Sequence, residues 1–330
     1  MSAILIALAI GLGVDAQGHS GAKAPAHAAA PPTRVAVPMI KNRPLLSNPQ
    51  LSLDGRRVFI ARTALPSAPS DPGLEVVAIP LAPGAKAETV DFPAPVNANQ
   101  ARILLSNSGK YLAVLSQGEL WVKTLGEDGE PRRLYPPAQG EAPLGPRLSQ
   151  ASFAPDSTWL LIESPTGWGR LAVKTNEFEG LRLPPIDLTH GSMAMSSDGL
   201  HAVVVKLQEG QGYLNGSHVL AFNISTAFAQ GLDVKNLYSE VLFLPDGHPL
   251  GKAAGGGLWV LRPKDRLGYF EPPPVPNHSS VDGYAINFAA TRLAWTVTSD
   301  LDAKNPHAEL WVAGAPPTPN PPQEPGKGEE

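Results

Sequence analysis

Cysteine is absent from this chain of 330 residues, which removes disulfides, cysteine-based zinc sites and thiol catalysis together. Charge is also scarce. Only 17% of residues are charged, and the 26 basic ones are scattered in short pairs such as Arg56-Arg57 and Arg132-Arg133, so no basic stripe exists for nucleic acid. Helical periodicity is nearly missing as well. The 36 Pro and 32 Gly run along the whole chain and would interrupt long helices, whereas short strands joined by turns tolerate such punctuation. The N-terminal apolar stretch Ala3–Val14 spans only twelve residues. As a helix it would reach about 18 Å, short of the roughly 30 Å hydrocarbon core, so no transmembrane anchor is expected in the mature chain. A cleaved secretory signal over residues 1–16 fits better, with cleavage at Val14-Asp15-Ala16 or as late as Ala26-His27-Ala28, although no Lys or Arg precedes the apolar stretch. With no cysteine at either place, a lipoprotein anchor is not expected. Periplasmic or secreted localisation follows from that signal.

What is present is a phrase repeated six times between Asn48 and Ala315: an apolar stretch, a small turn, a second apolar stretch, then a Leu-Trp-Val-like strand. The first half reads QLSLDGRRVFIA from Gln50, LLSNSGKYLAVL from Leu104, SFAPDSTWLLIE from Ser152, AMSSDGLHAVVV from Ala194, LFLPDGHPLGKA from Leu242 and NFAATRLAWTV from Asn287. Successive turn markers (Asp54, Ser108, Asp156, Asp198, Asp246) lie 54, 48, 42 and 48 residues apart. Four average strands with their connections take roughly 42 residues, so one period holds one four-stranded antiparallel sheet, a propeller blade. Runs such as Val58-Phe59-Ile60 and Val203-Val204-Val205 have the β-branched and aromatic character of strands buried on both faces. The Asp-Gly pairs at Asp54, Asp198 and Asp246 supply hairpin turns.

The pattern F-x-P-D-G-x-x-L-A-x, followed some residues later by L-W-V, resembles the repeat of TolB-like, WD-repeat-like propellers, which also forms the propeller of prolyl-oligopeptidase-like enzymes. The resemblance covers about residues 48–315 and implies an all-β, six-bladed β-propeller of four-stranded antiparallel blades. Peptidase activity is not implied, because the ends of the chain leave no room for a hydrolase domain. The N-terminal α/β domain of TolB has no counterpart either. Blades 2, 3 and 6 depart from the pattern, with Asn-Ser-Gly, Asp-Ser and Ala289-Ala290-Thr291, so the last hairpin's shape is open. The Pro-rich tail, residues 316–330, cannot supply the fourth strand of blade 6. The strand-like segment Thr33–Pro38, after a linker over residues 17–32, is therefore expected to close that blade, with the propeller spanning residues 33–315.

Catalytic and metal signals are weak. The eight His show no local metal-ligand spacing. Gly18-His19-Ser20-Gly21-Ala22 is one glycine short of a nucleophile elbow and precedes every strand. Asp300-x-Asp302-x-x-Asn305 lacks the glycine and distal Glu of a calcium loop. No catalytic residue, metal or cofactor is expected. Trp121, Trp259 and Trp311 recur at one place in the third strand and are expected to pack between blades.

Ligand-binding candidates come from two patterns. Trp168 (TGWGR) and Tyr213 (GQGYLNG) lie in glycine-flanked connections where their rings could face a ligand. Counting back three from the last apolar residue of each inner strand (Leu51, Leu105, Phe153, Met195, Phe243, Phe288) gives Asn48, Arg102, Gln150, Ser192, Glu240 and Ala285, five of them polar. That column is expected at the channel mouth, with Arg102 across from Glu240. The connections Thr63–Gly73, Pro136–Leu148, Gln208–Ser217, Lys264–Gly283 and Ser299–His307 are expected on the same face, opposite the Asp-Gly turns. The reading is a noncatalytic exported propeller that binds a protein, peptide or cell-envelope ligand through its loop-rich face. The alternative is a propeller hydrolase or lactonase with its site at the channel mouth.

Overall fold

The computed structural model describes residues 30–38, 45–63, 72–97, 101–137, 141–184, 186, 191–210, 213–232, 238–253, 256–261, 266–275, 279–299 and 307–317. The expected signal, Ser20, the Asp300–Asn305 segment and most of the Pro-rich tail lie outside them. All described secondary structure is strand, in six antiparallel sheets.

Strand β1 (Ala30–Val35) precedes the first blade, which contains β2 (Leu45–Leu46), β3 (Gln50–Leu51), β4 (Arg57–Thr63), β5 (Pro72–Pro80) and β6 (Glu88–Asn97). Its inner strand is split in two because Pro49 has no N–H to donate and interrupts the ladder beside Asn48. Blade 2 comprises β7 (Arg102–Leu105), β8 (Tyr111–Ser116), β9 (Glu119–Thr124) and β10 (Arg132–Tyr135). Blade 3 comprises β11 (Gln150–Phe153), β12 (Trp159–Ser164), β13 (Gly167–Ala172) and β14 (Phe178–Leu181). Blade 4 comprises β15 (Gly191–Met195), β16 (His201–Gly210), β17 (Tyr213–Asn223) and β18 (Phe228–Leu232). Blade 5 comprises β19 (Tyr238–Phe243), β20 (Pro249–Ala253), β21 (Leu258–Leu261) and β22 (Arg266–Phe270). Blade 6 comprises β23 (Ser280–Ile286), β24 (Arg292–Ser299) and β25 (His307–Gly314), and its fourth strand is β1.

The closing strand pairs Thr33 with Val312, Arg34 with Trp311 and Val35 with Leu310. It starts at Ala30 and stops at Val35, three residues earlier at each end than the sequence pattern suggests. Residues 36–38 are not strand; there the carbonyls of Val37 and Pro38 accept hydrogen bonds from the buried Arg62 guanidinium. The closure is thereby tied to blade 1 as well as blade 6.

Two expected loops contain sheet. β16 and β17 run on as one long hairpin to the pair Gly210–Tyr213, taking in most of the segment 208–217. Within the segment 264–283, Arg266–Phe270 is the outer strand of blade 5 and Ser280 begins the inner strand of blade 6.

Apolar residues collect in six clusters, one at each blade-to-blade interface. One example joins Leu112 and Val114 of blade 2 to Phe59, Val76 and Phe92 of blade 1, and another joins Val58 and Ile60 to Ala294, Leu310 and Val312 across the closure. Trp121, Trp259 and Trp311 are half-buried against three of these clusters, as their recurrence implied. Trp311 stacks on the buried Trp295, with ring centroids 6.4 Å apart and planes 13° from parallel.

The hairpins between inner and second strands share one bond. Gly55 N donates to Ser52 O, Gly199 N to Ser196 O and Gly247 N to Leu244 O, each glycine at positive φ. Blade 2 keeps the glycine as Gly109, and in the two copies without one Ser157 (φ 63) and Ala290 (φ 48) take the left-handed position. In blade 6 the side chain of Asn287 compensates, its Oδ1 accepting from Thr291 N at 2.9 Å and Arg292 N at 2.7 Å. Its Nδ2 donates to Leu53 O of blade 1 at 3.1 Å, so the altered turn also joins the first and last blades.

Removing residues 1–35 strips blade 6 of its outer strand and bares β25. We expect a loss of roughly 2–4 kcal/mol in equilibrium urea unfolding, together with concentration-dependent association. A midpoint equal to that of the intact chain would show that β1 does not hold the ring closed.

Candidate functional site

Inner strands start on the face that carries the blade crossings and end at the hairpin turns, so the polar column occupies their entry ends. The structure gathers five of its six predicted positions around the channel and corrects the last. In blade 6 the hairpin residue equivalent to Ser52, Ser106 and Ser196 is Asn287, and four residues before it stands Gly283. Ala285 is buried in the core between blades 6 and 1. Phe288 belongs to the turn itself, exposed beside the equally exposed Leu53 of blade 1. The shift arises at the turn: β23 ends at Ile286, two residues before Phe288, from which the count was taken.

Gly283 has a steric reason to lack a side chain: a Cβ there would lie 2.2 Å from Asn48 Oδ1. Over that gap Asn48 Nδ2 reaches from blade 1 to Glu240 Oε1 in blade 5 at 3.0 Å. The break at Pro49 and the bare backbone at Gly283 together permit this bond. Glu240 Oε2 accepts from Tyr284 N at 3.2 Å. On the other wall, Arg102 donates to Gln150 Oε1, and its second terminal nitrogen donates to Gly191 O at 3.2 Å. The amide of Gln150 donates to the same carbonyl at 3.0 Å. Ser192 Oγ accepts from Val241 N at 3.2 Å, linking blades 4 and 5. Bonds that skip a whole blade, as from Asn48 to Glu240 and from Arg102 to Gly191, show that this polar layer spans the narrow channel.

Two further charged residues complete the layer and were missed by the column count. Lys252 pairs with Glu240 in the ladder between β19 and β20, and its Nζ donates to the carbonyls of Val281, at 3.0 Å, and Asp282. Asp282 accepts from Ser280 Oγ at 2.5 Å and from Thr298 Oγ1. Counting outward from the Asp246-Gly247 turn places Lys252 opposite Glu240 and could have found it. Asp282 had no such signal, because the altered turn removes blade 6 from the count.

Electrostatically the centre is unusual. Burial pushes the Glu240 carboxyl up from 4.5 to about 7, against the opposing pull of Lys252, the Tyr284 N–H and Arg102, while Asp282 adds to the rise. Burial likewise lowers the Arg102 guanidinium, partly offset by Glu240. Arg102 is deep in the molecule yet retains a large solvent-accessible surface, as does Asn48, so the space they line is open to solvent.

Trp168 is not a ligand platform. It lies within β13, is 1% exposed, packs on Phe222 with ring centroids 5.7 Å apart, and donates from Nε1 to Pro184 O at 2.9 Å. The neighbouring Gly169 is small because Phe178 covers it, leaving 2.1 Å to a would-be Cβ. Tyr213 is the first residue of β17; its side chain lies outside the described residues. The segment 136–148 is partly pinned, since Leu144 and Leu148 enter the core between blades 2 and 3 and Tyr135 Oη donates to Gly145 O at 2.6 Å. On the turn face, a recess of about 110 Å³ is lined by uncharged residues including Gln50, Asn107, Leu53 and Phe288. Among the described residues no three His, Asp or Glu side chains converge as metal ligands.

These features define a six-bladed β-propeller with a polar, charged layer across one end of its channel. Among solved structures, the chain is similar to TolB from Acinetobacter baumannii at 13% identity and a TM-score of 0.45, over 82% of this chain and 54% of that one. It thus spans about half of that protein's length. It is also similar to the hydrazine synthase of Kuenenia stuttgartiensis at 14% identity and a TM-score of 0.51, over 79% of this chain and 77% of the other. At such identities the likeness concerns the fold alone. No protein-family model matches the chain, and no curated protein matches it in sequence.

Two predictions follow from burial. Trp168→Ala should cost about 3–5 kcal/mol in urea unfolding, as for a core aromatic, where a surface ring would cost well under 1 kcal/mol. Glu240 binds its proton more tightly folded than unfolded, so its stabilising contribution is full below about pH 4.5 and is lost as pH rises through about 7. Glu240→Gln, which resembles the protonated acid, should therefore flatten the decline in stability across that window. An unchanged pH profile would show that Glu240 titrates normally.

Proposed function

We propose that this chain is a noncatalytic, exported β-propeller that binds a protein, peptide or cell-envelope ligand at the face where the blade crossings meet the channel. The observation that carries this reading is the layer formed by Asn48, Arg102, Gln150, Ser192 and Glu240. It concentrates hydrogen-bonding and charged groups at one end of the channel and leaves Arg102 and Asn48 in contact with water. Elsewhere the inner strands are packed and largely apolar. Polar groups converging at a solvent-accessible point on a rigid ring are the usual makings of a recognition site. Export rests on the apolar segment Ala3–Val14 and the small-residue cleavage sites that follow it.

The test is affinity capture from cell-envelope extract with the intact protein and with Arg102→Ala/Glu240→Ala. Loss of a specifically retained partner by the double variant, with thermal unfolding showing that the ring persists, is the expected result. Identical capture by both proteins would remove the channel layer from the binding site.

A further inference from the structure

The four charged side chains of the channel layer, Arg102, Lys252, Asp282 and Glu240, are unequally served by their neighbours. Arg102 and Lys252 are cationic. Asp282 is anionic and is held by Ser280 and Thr298. Lys252 directs its ammonium at the backbone carbonyls of Val281 and Asp282 and also acts through space on Glu240. Arg102 is satisfied only by neutral acceptors, Gln150 Oε1 and Gly191 O, and no carboxylate among the described residues lies within 4.0 Å of it. Only two of its guanidinium N–H groups are used. The remaining donors keep the planar fork that fits a carboxylate. Across the channel stands Glu240, its oxygens engaged by Asn48 and Tyr284 N.

We propose that the channel layer is a receptor for a carboxylate, which enters from the crossing face and pairs with Arg102 in front of Glu240. The inference rests on the binding-module reading and gives it a ligand class: a peptide or small molecule with a free carboxylate. Glu240 makes the site sensitive to pH. The groups facing it are Arg102 from β7, Lys252 from β20, Asp282 and the Tyr284 N–H from β23, and the Asn48 amide. With its proton on, Glu240 leaves Arg102 without a counter-charge; ionised, it supplies one through space and repels an incoming anion. The carboxylate and the Glu240 proton therefore bind together. By reciprocity, a ligand that prefers the protonated site draws a proton in as it binds.

The probe is N-acetylglycine, with N-acetylglycinamide as its uncharged counterpart, titrated calorimetrically at about pH 6 and about pH 8 in buffers of different ionisation enthalpy. Saturable binding of the acid and none of the amide is expected, tighter at the lower pH and with net proton uptake. Arg102→Gln should weaken the acid by at least about tenfold, the loss of a charge-assisted pair, and Arg102→Lys by less. Glu240→Gln should retain binding and abolish both the pH dependence and the proton uptake. Equal binding of acid and amide, no saturable heat with the acid, or unchanged affinity in a folded Arg102→Gln protein would each overturn the proposal. If Arg102→Gln does not fold, the amide comparison and the Glu240→Gln profile still decide it. A partner captured from envelope extract without any carboxylate response would reject this site and leave the binding module standing; a carboxylate response without a captured partner would uphold this site and make its ligand a small molecule.

Discussion

Closure of the ring is the constraint on which the rest depends. Each blade is apolar on both faces and can bury them only between two neighbours, so one open interface would leave the first and last blades exposed together. Here the chain meets that requirement with β1 paired to β25, Arg62 gripping the carbonyls of Val37 and Pro38, and the Asn287 amide bonded to the backbone of Leu53. The exposed ion pair Arg34–Glu309, at 3.0 Å, adds little beside the buried surface of Val58, Ile60, Leu310 and Val312.

Closure also creates the site. Once six inner strands surround one axis, side chains at their entry ends have no option but to meet one another, and the meeting is not symmetric. The Asn48-Pro49 break turns one amide inward, Gly283 clears its path, and Glu240 receives it. Opposite, Arg102 finds only amide and carbonyl dipoles. A repeat fold with equivalent backbones thus acquires a polar axis because individual copies have diverged at one position.

The architecture was legible in the sequence because it is written in local chemistry: Asp54-Gly55, Asp198-Gly199 and Asp246-Gly247 make turns wherever they occur, and runs such as Val203-Val204-Val205 make buried strands. The channel column was legible for the same reason wherever the turn could be counted from. It failed in blade 6, where the altered turn after Asn287 carries an apolar residue, Phe288, that reads as strand and moved the count by two. Trp168 was misread because Gly167 and Gly169 look like loop residues, whereas Gly169 is small to admit Phe178. The raised Glu240 carboxyl was beyond reach, since it depends on burial contributed by distant strands.

The pairing of Ala30 with Gly314 joins the first and last described strands of the chain. Its consequence is temporal. β1 is synthesised before every blade yet has no partner until β25 has been made, so the first strand to exist is among the last that can find its place. Until then its sheet-forming edge must be kept from other partners, and the segment carries its own safeguard: Pro31 and Pro32, which withhold two backbone donors, and Arg34, whose charge discourages stray pairing.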